Sequence, residues 1–128
     1  MAWETEQKEL PSDVALSGVE QALADRSRAT YYLAEVDGVV AGQTMVTVEW
    51  SDWRCGFFWW IQSVYVAPEF RRHGVFRALH EHIRAEAKAR PDVCGLRLYV
   101  HHDNTKAMHT YKQLGMKRTD YLLFEEEF

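Results

Sequence analysis

Residues 68–76 read PEFRRHGVF, with two arginines, a histidine and a glycine where an apolar strand-like run gives way to an apolar helical pattern. A helix N-terminus leaves backbone N–H groups unpaired and carries a partial positive charge. A loop feeding such a terminus can aim several amides at one anion. Gly74 gives the loop access to positive φ or close approach, and Arg71, Arg72 and His73 put charge at its rim. This combination suits the binding of a diphosphate. The plainer alternative is a solvated polar turn, and the stretch alone leaves both open. About thirty residues on, NTKAMHTYKQLGM carries Asn104, Ala107, Tyr111 and Gly115 at helical spacing.

The elements that would position these groups follow from the hydrophobic pattern. Residues 11–25 are predicted helical, with Val14, Val19, Ala22 and Leu23 roughly helix-spaced and Ser12 or Asp13 as the cap. Strands are expected at 31–36 and 39–50, joined by Asp37-Gly38, a dipeptide that favours a two-residue hairpin turn. SDWRCG at 51–56 is a second turn, and FFWWIQSVYV at 57–66 is apolar on both faces, as a central strand should be. From Val75 to Arg90 an amphipathic helix is predicted, with Phe76, Leu79, Ile83 and Ala87 inward. Residues 95–100 alternate as a strand. A helix from about Asn104 to Leu114 has Asp103 as its expected cap and Gly115 as its expected end. KRTDYLLFEEEF reads as a last strand. The order predicts one domain over residues 1–128, of class α+β (mixed α/β), with a mixed sheet covered by helices. The stretch 68–76 thus falls between a central strand and an amphipathic helix, the context a phosphate loop requires, which favours the first of the two readings.

In this context the chain resembles the GNAT superfamily, the Gcn5-related N-acetyltransferases. The family's acyl-CoA motif is a strand ending apolar-x-Val-x-Pro, then Arg/Gln-x-x-Gly-x-Gly/Ala opening a helix; this chain has VYVAPEFRRHGVF. The second motif, Asn-x-x-Ala-x-x-x-Tyr-x-x-x-Gly-Phe, matches Asn104, Ala107, Tyr111 and Gly115, with Met116 in the last place. The resemblance covers most of the chain from about residue 11. It implies the GNAT acyltransferase fold, a central mixed, mostly antiparallel sheet flanked by helices. It also implies acetyl-CoA as co-substrate, with direct acetyl transfer to a primary amine. Val64, Tyr65 and Val66 would offer strand backbone to the pantetheine arm. Arg71, Arg72, His73, Gly74, Val75 and Phe76 would cradle the pyrophosphate, and Asn104 would contact the pantetheine or fix its path. Tyr111 would stand near the thioester sulfur and act as general acid toward the departing thiolate. A backbone N–H of the central strand would polarise the carbonyl.

Two departures stand out. Phe76 occupies a place that usually holds glycine or alanine, so its ring is expected to turn into the core. Only about ten residues precede the first clear helix. The family's first strand is therefore missing or shortened, and WETEQKEL is read as the remainder of its first helix. A second copy of the chain is the expected cover for the sheet edge this leaves open, making a homodimer.

Amine attack needs a proton acceptor, and residues 57–66 offer only Gln62 and Ser63 as polar groups. Glu49 and Asp52 are the nearest carboxylates; the alternatives are that both are solvated turn residues and that water carries the proton. His80 and His82 diverge on a helix by about 200° and cannot easily share a metal. His101, His102 and Asp103 read as solvent-facing or substrate-contacting groups rather than metal ligands, and no metal is expected. Trp50, Trp53, Trp59 and Trp60 suggest core, interface or acceptor pocket, with Trp59 and Trp60 on opposite sides of their strand.

The totals bound the partners. A formal net charge of −4 over 128 residues gives no basic footprint for nucleic acid or anionic lipid. No apolar leader or spanning segment is evident, so a cytoplasmic protein is expected. Cys55 and Cys94 are expected as buried or semi-buried free thiols. The acceptor is expected to be a small-molecule or peptide amine. Two competing readings are a catalytically inactive acyl-CoA-binding regulatory module on the same fold, and an interaction protein using the tryptophan face.

Overall fold

The computed structural model describes residues 9–128. Helix α1 spans Ser12–Ala24 and leads into strands β1 (Thr30–Val36), β2 (Val39–Ser51) and β3 (Gly56–Val66). A 3-10 turn at Pro68–Phe70 precedes helix α2 (Val75–Ala89), strand β4 (Val93–Arg97) and helix α3 (Thr105–Gln113). The sheet order is β1-β2-β3-β4. The first three strands are antiparallel, and β4 joins β3 in parallel through α2. This is the mixed sheet that the pattern predicts, with β3 interior, and the mostly antiparallel one that the resemblance implies. Among the described residues no strand precedes Thr30, so β1 is a sheet edge. WETEQKEL, read from sequence as helical, lies outside the described residues except for Glu9 and Leu10, which have no regular structure.

The β1–β2 hairpin turns at Asp37 and Gly38, both left-handed at φ 50 and 78. Positive φ at both central residues matches the turn to the right-handed twist of the strands. The core lies between one face of this sheet and α2. Val75, Leu79, Ile83 and Ala87 of α2 are buried; Val75 and Leu79 meet Ala41 of β2, and Ile83 meets Val46 and Ile61. Burying each large aliphatic side chain contributes about 1.5–3 kcal/mol. Thr44, also fully buried, donates its hydroxyl to the Gln62 carbonyl at 2.8 Å, so its burial leaves no polar group unpaired.

Several expectations are corrected. Val75, not Phe76, takes the first core position of α2: Gly74 fixes where the helix begins, and the buried residues then recur at every fourth position. The N-cap of α1 is Pro11, without a side-chain cap bond, rather than Ser12 or Asp13. Of its apolar residues only Ala22 is buried; Val14, Val19 and Leu23 face solvent. Strand β4 ends at Arg97, not Val100, because its ladder to β3 stops there. Residues 117–128 form no strand, having no ladder within the chain. Both cysteines are exposed thiols rather than buried ones, at a turn and on the edge strand.

Candidate active site

The site begins with an irregularity in β3. Its pairing with β2 passes from Met45↔Gln62 to Gln43↔Tyr65, so Ser63 and Val64 together oppose Thr44. This is a β-bulge. Ser63 has φ 51, and the bulge is tied down by Gln43 Nε2 donating to the Ser63 carbonyl at 2.7 Å and by the Thr44 bond to Gln62. The extra residue resets the alternation of side chains. Val64 therefore packs on the Val46–Ile61–Ile83 cluster, and Val66 on the Ala41–Val75–Leu79 cluster. On the other side, pairing with β4 stops at Trp60↔Arg97, while β3 runs on to Val66. From Ile61 to Val66 the outer edge of β3 has no strand partner among the described residues. Its N–H and C=O groups can take an extended ligand as an added strand.

The strand then delivers the chain into the joint. Arg72 and Gly74 are left-handed, at φ 66 and 76. The first helical bond of α2 runs from Ala78 N to Gly74 O at 3.0 Å, so the amides of Val75, Phe76 and Arg77 precede the ladder. Among the described residues no side chain caps this end. These are the donors an anion can use. Arg71 turns back, with Nε donating to the Val66 carbonyl at 2.9 Å and its guanidinium over the Tyr65 ring. It braces the end of β3 against the loop. Arg72 and His73 are exposed at the rim. Gly42 fixes the joint from beneath: a Cβ there would lie 2.9 Å from the Tyr65 carbonyl oxygen and 3.0 Å from a Val75 methyl. Only glycine lets β2 approach the start of α2 so closely.

Helix α3 brings Tyr111 to the same end of α2. The Phe76 ring meets Tyr111 edge-on, centroids 5.8 Å apart, and also contacts His80. Phe76 is thus half-buried between the two helices, outside the core. Tyr111 is half-buried too, and burial pushes its phenol pKa up, which keeps the group protonated at neutral pH. Asn104, rather than Asp103, caps α3, its Oδ1 accepting from Ala107 N at 3.1 Å. At the far end, Met116 N donates to Tyr111 O and Gly115 N to Lys112 O, with Gly115 at φ 91. This pair of bonds is a Schellman motif. It fixes the turn of helix that carries Tyr111.

The opposite face of the sheet carries the polar groups. Glu49 Oε1 accepts from Arg97 Nη1 at 2.7 Å, and the Arg97 guanidinium stacks 3.6 Å over the Phe58 ring. Gln62 Nε2 donates to Thr47 Oγ1 at 2.6 Å, and Trp60 contacts Tyr99. Glu49 is in register with Phe58, three residues from Ile61 and so roughly 10 Å along the strand. Asp52 closes its own turn, accepting from Trp53 N, and is a turn residue. Arg97 and the Ser63 bulge were not singled out from the sequence. The charged residue inside an alternating strand and the polar pair Gln62-Ser63 inside an apolar run were the available signals.

Trp59 packs on the buried face, Trp60 opposite, and Trp50 and Trp53 are exposed. A cleft of about 280 Å³, lined by Arg26, Thr30, Tyr32, Trp59, Arg90 and Asp92 among others, lies at the C-terminal end of α2. That is the far end of the helix from the 71–76 joint, and the cleft takes no part in the candidate site. His101, His102 and Asp103 present donor atoms within 4.8 Å of one another, all exposed. No helix among the described residues is long and apolar enough to cross a membrane.

Comparison with known proteins agrees with this geometry. The model of the acetyltransferase (GNAT) family matches residues 1–116. Among solved structures, a possible acetyltransferase from Clostridium difficile 630 is 44% identical, with a TM-score of 0.92 over 99% of this chain and 84% of that one. AAC(6')-Iy, solved with the bisubstrate analogue CoA-S-monomethyl-acetylneamine, is 18% identical with a TM-score of 0.78, covering 100% of this chain and 87% of that one. The ribosomal-protein-alanine N-acetyltransferase from Brucella melitensis biovar Abortus 2308 is 22% identical with a TM-score of 0.77, covering 98% and 86%. The last two likenesses concern the fold. No curated protein sequence matches the chain.

Proposed function

Because the chain belongs to the acetyltransferase (GNAT) family, we propose that it transfers the acetyl group of acetyl-CoA directly to a primary amine in a ternary complex. One observation carries this reading: among the described residues no side chain caps the N-terminus of α2, the 61–66 edge of β3 that leads into it has no strand partner, and the half-buried Tyr111 lies against Phe76 in the first turn of that helix. The diphosphate lies on the amides of residues 72–77, with Arg71, Arg72 and His73 around it. The pantetheine arm runs along Val64, Tyr65 and Val66. Asn104 keeps its carboxamide oxygen on the helix cap and has its NH2 to offer the arm.

The chemistry then follows from the groups present. The neutral amine nitrogen attacks the thioester carbonyl carbon and the C–N bond forms. Negative charge gathers on the carbonyl oxygen, where a backbone N–H of the free β3 edge near the bulge can receive it. The intermediate collapses, the C–S bond breaks, and the Tyr111 phenol gives its proton to the leaving thiolate. The amine's surplus proton leaves through water. Glu49 is too far along the strand for direct transfer, and its Oε1 accepts from Arg97 Nη1. Its role is to draw a cationic amine to this face and receive the proton through a water chain. Both small-molecule and peptide amines fit a wall this open, formed by Trp60, Tyr99, Thr47 and the Glu49–Arg97 pair. The protein is proposed to act in the cytoplasm, as a homodimer, without a metal.

A second reading, an acyl-CoA-binding regulatory module without catalysis, draws on the Glu49–Arg97 pair and the absence of any carboxylate in β3. Thiol release separates the two. The parent is incubated with acetyl-CoA and a panel of polyamines, aminoglycosides and lysine- or alanine-ended peptides. Free CoA should accumulate with at least one amine, matched by acetylated product in the mass spectrum. Acetyl-CoA binding without amine-dependent release across the panel would favour the regulatory module.

A further inference from the structure

We propose that His101, His102 and Asp103 form a binding site for a divalent transition-metal ion of the zinc class, which clamps the loop leading from β4 into α3. Among the described residues this is the one group of three histidine, cysteine or carboxylate side chains whose donor atoms all lie within 4.8 Å of one another. The pattern HHD gives no reason by itself to expect a metal, because neighbours on an extended strand point to opposite faces. Here the chain has left β4 at Arg97, and the turn that follows brings the groups together. The His101 and His102 rings stack, centroids 4.5 Å apart and planes 27° apart.

The distances fit a small ion. Zinc bonds to nitrogen and oxygen are about 2.0–2.1 Å long, so ligand atoms around a tetrahedral ion stand about 3.3 Å apart. His102 Nε2 lies 3.3 Å from Asp103 Oδ1, and His101 Nδ1 lies 3.9 Å from Asp103 Oδ2. The carboxylate thus has one oxygen toward each imidazole. Closing the widest separation, 4.8 Å, to the tetrahedral spacing takes a movement of about 1.5 Å. All three side chains are exposed, so the movement disturbs no core packing.

The donor atoms are available. His101 Nδ1 accepts from Asp103 N at 3.3 Å, so in this geometry it presents a lone pair, and the bond it gives up to a metal is a long one. The backbone beneath is already tied: Asn104 N donates to His101 O and Thr105 N to Asp103 O, both at 2.9 Å. Binding therefore orders mainly side-chain torsions. Two imidazoles and one carboxylate suit zinc and its first-row neighbours, whereas magnesium and calcium prefer shells of oxygen. Three protein ligands leave the fourth position to water. The acetyl transfer proposed above uses no metal, and the site does not depend on it. Its consequence is mechanical. His101 and Asp103 accept the backbone bonds that lead into α3, so an ion held by both braces the Asn104 cap.

The test uses the full, untagged chain carrying Cys55→Ser and Cys94→Ser, which removes the two exposed thiols as competing ligands. Zinc chloride titrated into it by calorimetry should bind one equivalent at micromolar concentration, and magnesium chloride should give no binding heat at millimolar. Cobalt(II) in place of zinc should show the intense visible bands of a four-coordinate ion. His102→Gln and Asp103→Asn should each weaken zinc binding by about tenfold or more. His82→Gln is the control: His82 and Glu86 stand 3.7 Å apart on α2 but supply only two ligands, so zinc affinity should hold. Hydrogen exchange at the amides of Asn104, Thr105 and Ala107 should slow several-fold with zinc. No binding below millimolar zinc, affinity unchanged by both ligand substitutions, affinity lost with His82→Gln, equal binding of magnesium, a six-coordinate cobalt spectrum, or amides indifferent to zinc would each overturn the proposal. None of these readouts depends on acetyl-CoA.

Discussion

Gly42→Ala tests how the joint is held. The added methyl would lie 2.9 Å from the Tyr65 carbonyl oxygen, 3.0 Å from a Val75 methyl and 3.4 Å from a Val66 methyl. The first neighbour is backbone of β3, the interior strand, and cannot swing aside as a side chain could. Relief must come from moving β2 off the start of α2. Overpacking of this kind costs about 1–3 kcal/mol, against a total stability of about 5–15 kcal/mol for a domain. For a chain of this size 1 kcal/mol shifts Tm by about 4 °C, so a drop of roughly 4–12 °C is expected. Displacing Val75 also misaligns the amides that follow it, so the Kd for acetyl-CoA should rise several-fold. Gly18→Ala is the control. It lies inside α1 with nothing within 4 Å of the new methyl, and should stabilise by about 0.5–1 kcal/mol. Differential scanning calorimetry and titration calorimetry on both variants decide the matter. A Gly42→Ala protein that melts with or above the parent would refute the close approach on which the joint depends.

Tyr111→Phe keeps the ring contact with Phe76 and loses the acid. It should lower kcat by about 100-fold or more, with Tm and the KM for acetyl-CoA little changed; equal turnover would remove Tyr111 from the mechanism. Asn104→Ala removes the cap on Ala107 N and should cost about 1 kcal/mol, whereas Asn104→Asp should restore Tm while weakening acetyl-CoA binding. If Asn104→Asp leaves the KM unchanged, the carboxamide NH2 has no part in the site. His80 is buried with no hydrogen-bond partner for Nε2 among the described residues, and burial first, then Arg84, pushes its pKa below the ordinary value. The neutral form therefore favours the fold. Its contribution is fully present above about pH 6.5, the unfolded value, and is lost as pH falls from there through the folded pKa. His80→Met should flatten the fall in Tm between pH 7 and 5; an unchanged slope would place the titration elsewhere.

Much of this architecture is legible in the sequence because local rules and global fold agree. Asp37-Gly38 names its own turn, Pro91 and the apolar spacing bracket α2, and Gly115 ends α3 as expected. The joint is legible because a strand pattern, a glycine and a helix pattern meet there without a linker. What fails does so where neighbours in the sequence compete or where a partner is needed. Val75 and Phe76 are both apolar, and only the left-handed Gly74 decides which begins the buried stripe. Asp103 and Asn104 are both good caps, and the backbone selects the second. The β3 bulge is set by cross-strand bonds from Thr44 and Gln43, which no single-strand pattern contains. The last segment has the composition of a strand, but it forms no ladder among the described residues, so composition alone does not make it one.

The central claim is that the 71–76 joint and the β3 edge hold acetyl-CoA, and a thermal-shift titration addresses it most directly. A ligand at one hundred times its Kd stabilises the folded state by about 2.7 kcal/mol, which corresponds here to roughly 10 °C. Acetyl-CoA and CoA should both raise Tm by that order in the parent, and by less in Gly42→Ala at equal ligand. No shift at millimolar acetyl-CoA would contradict the account.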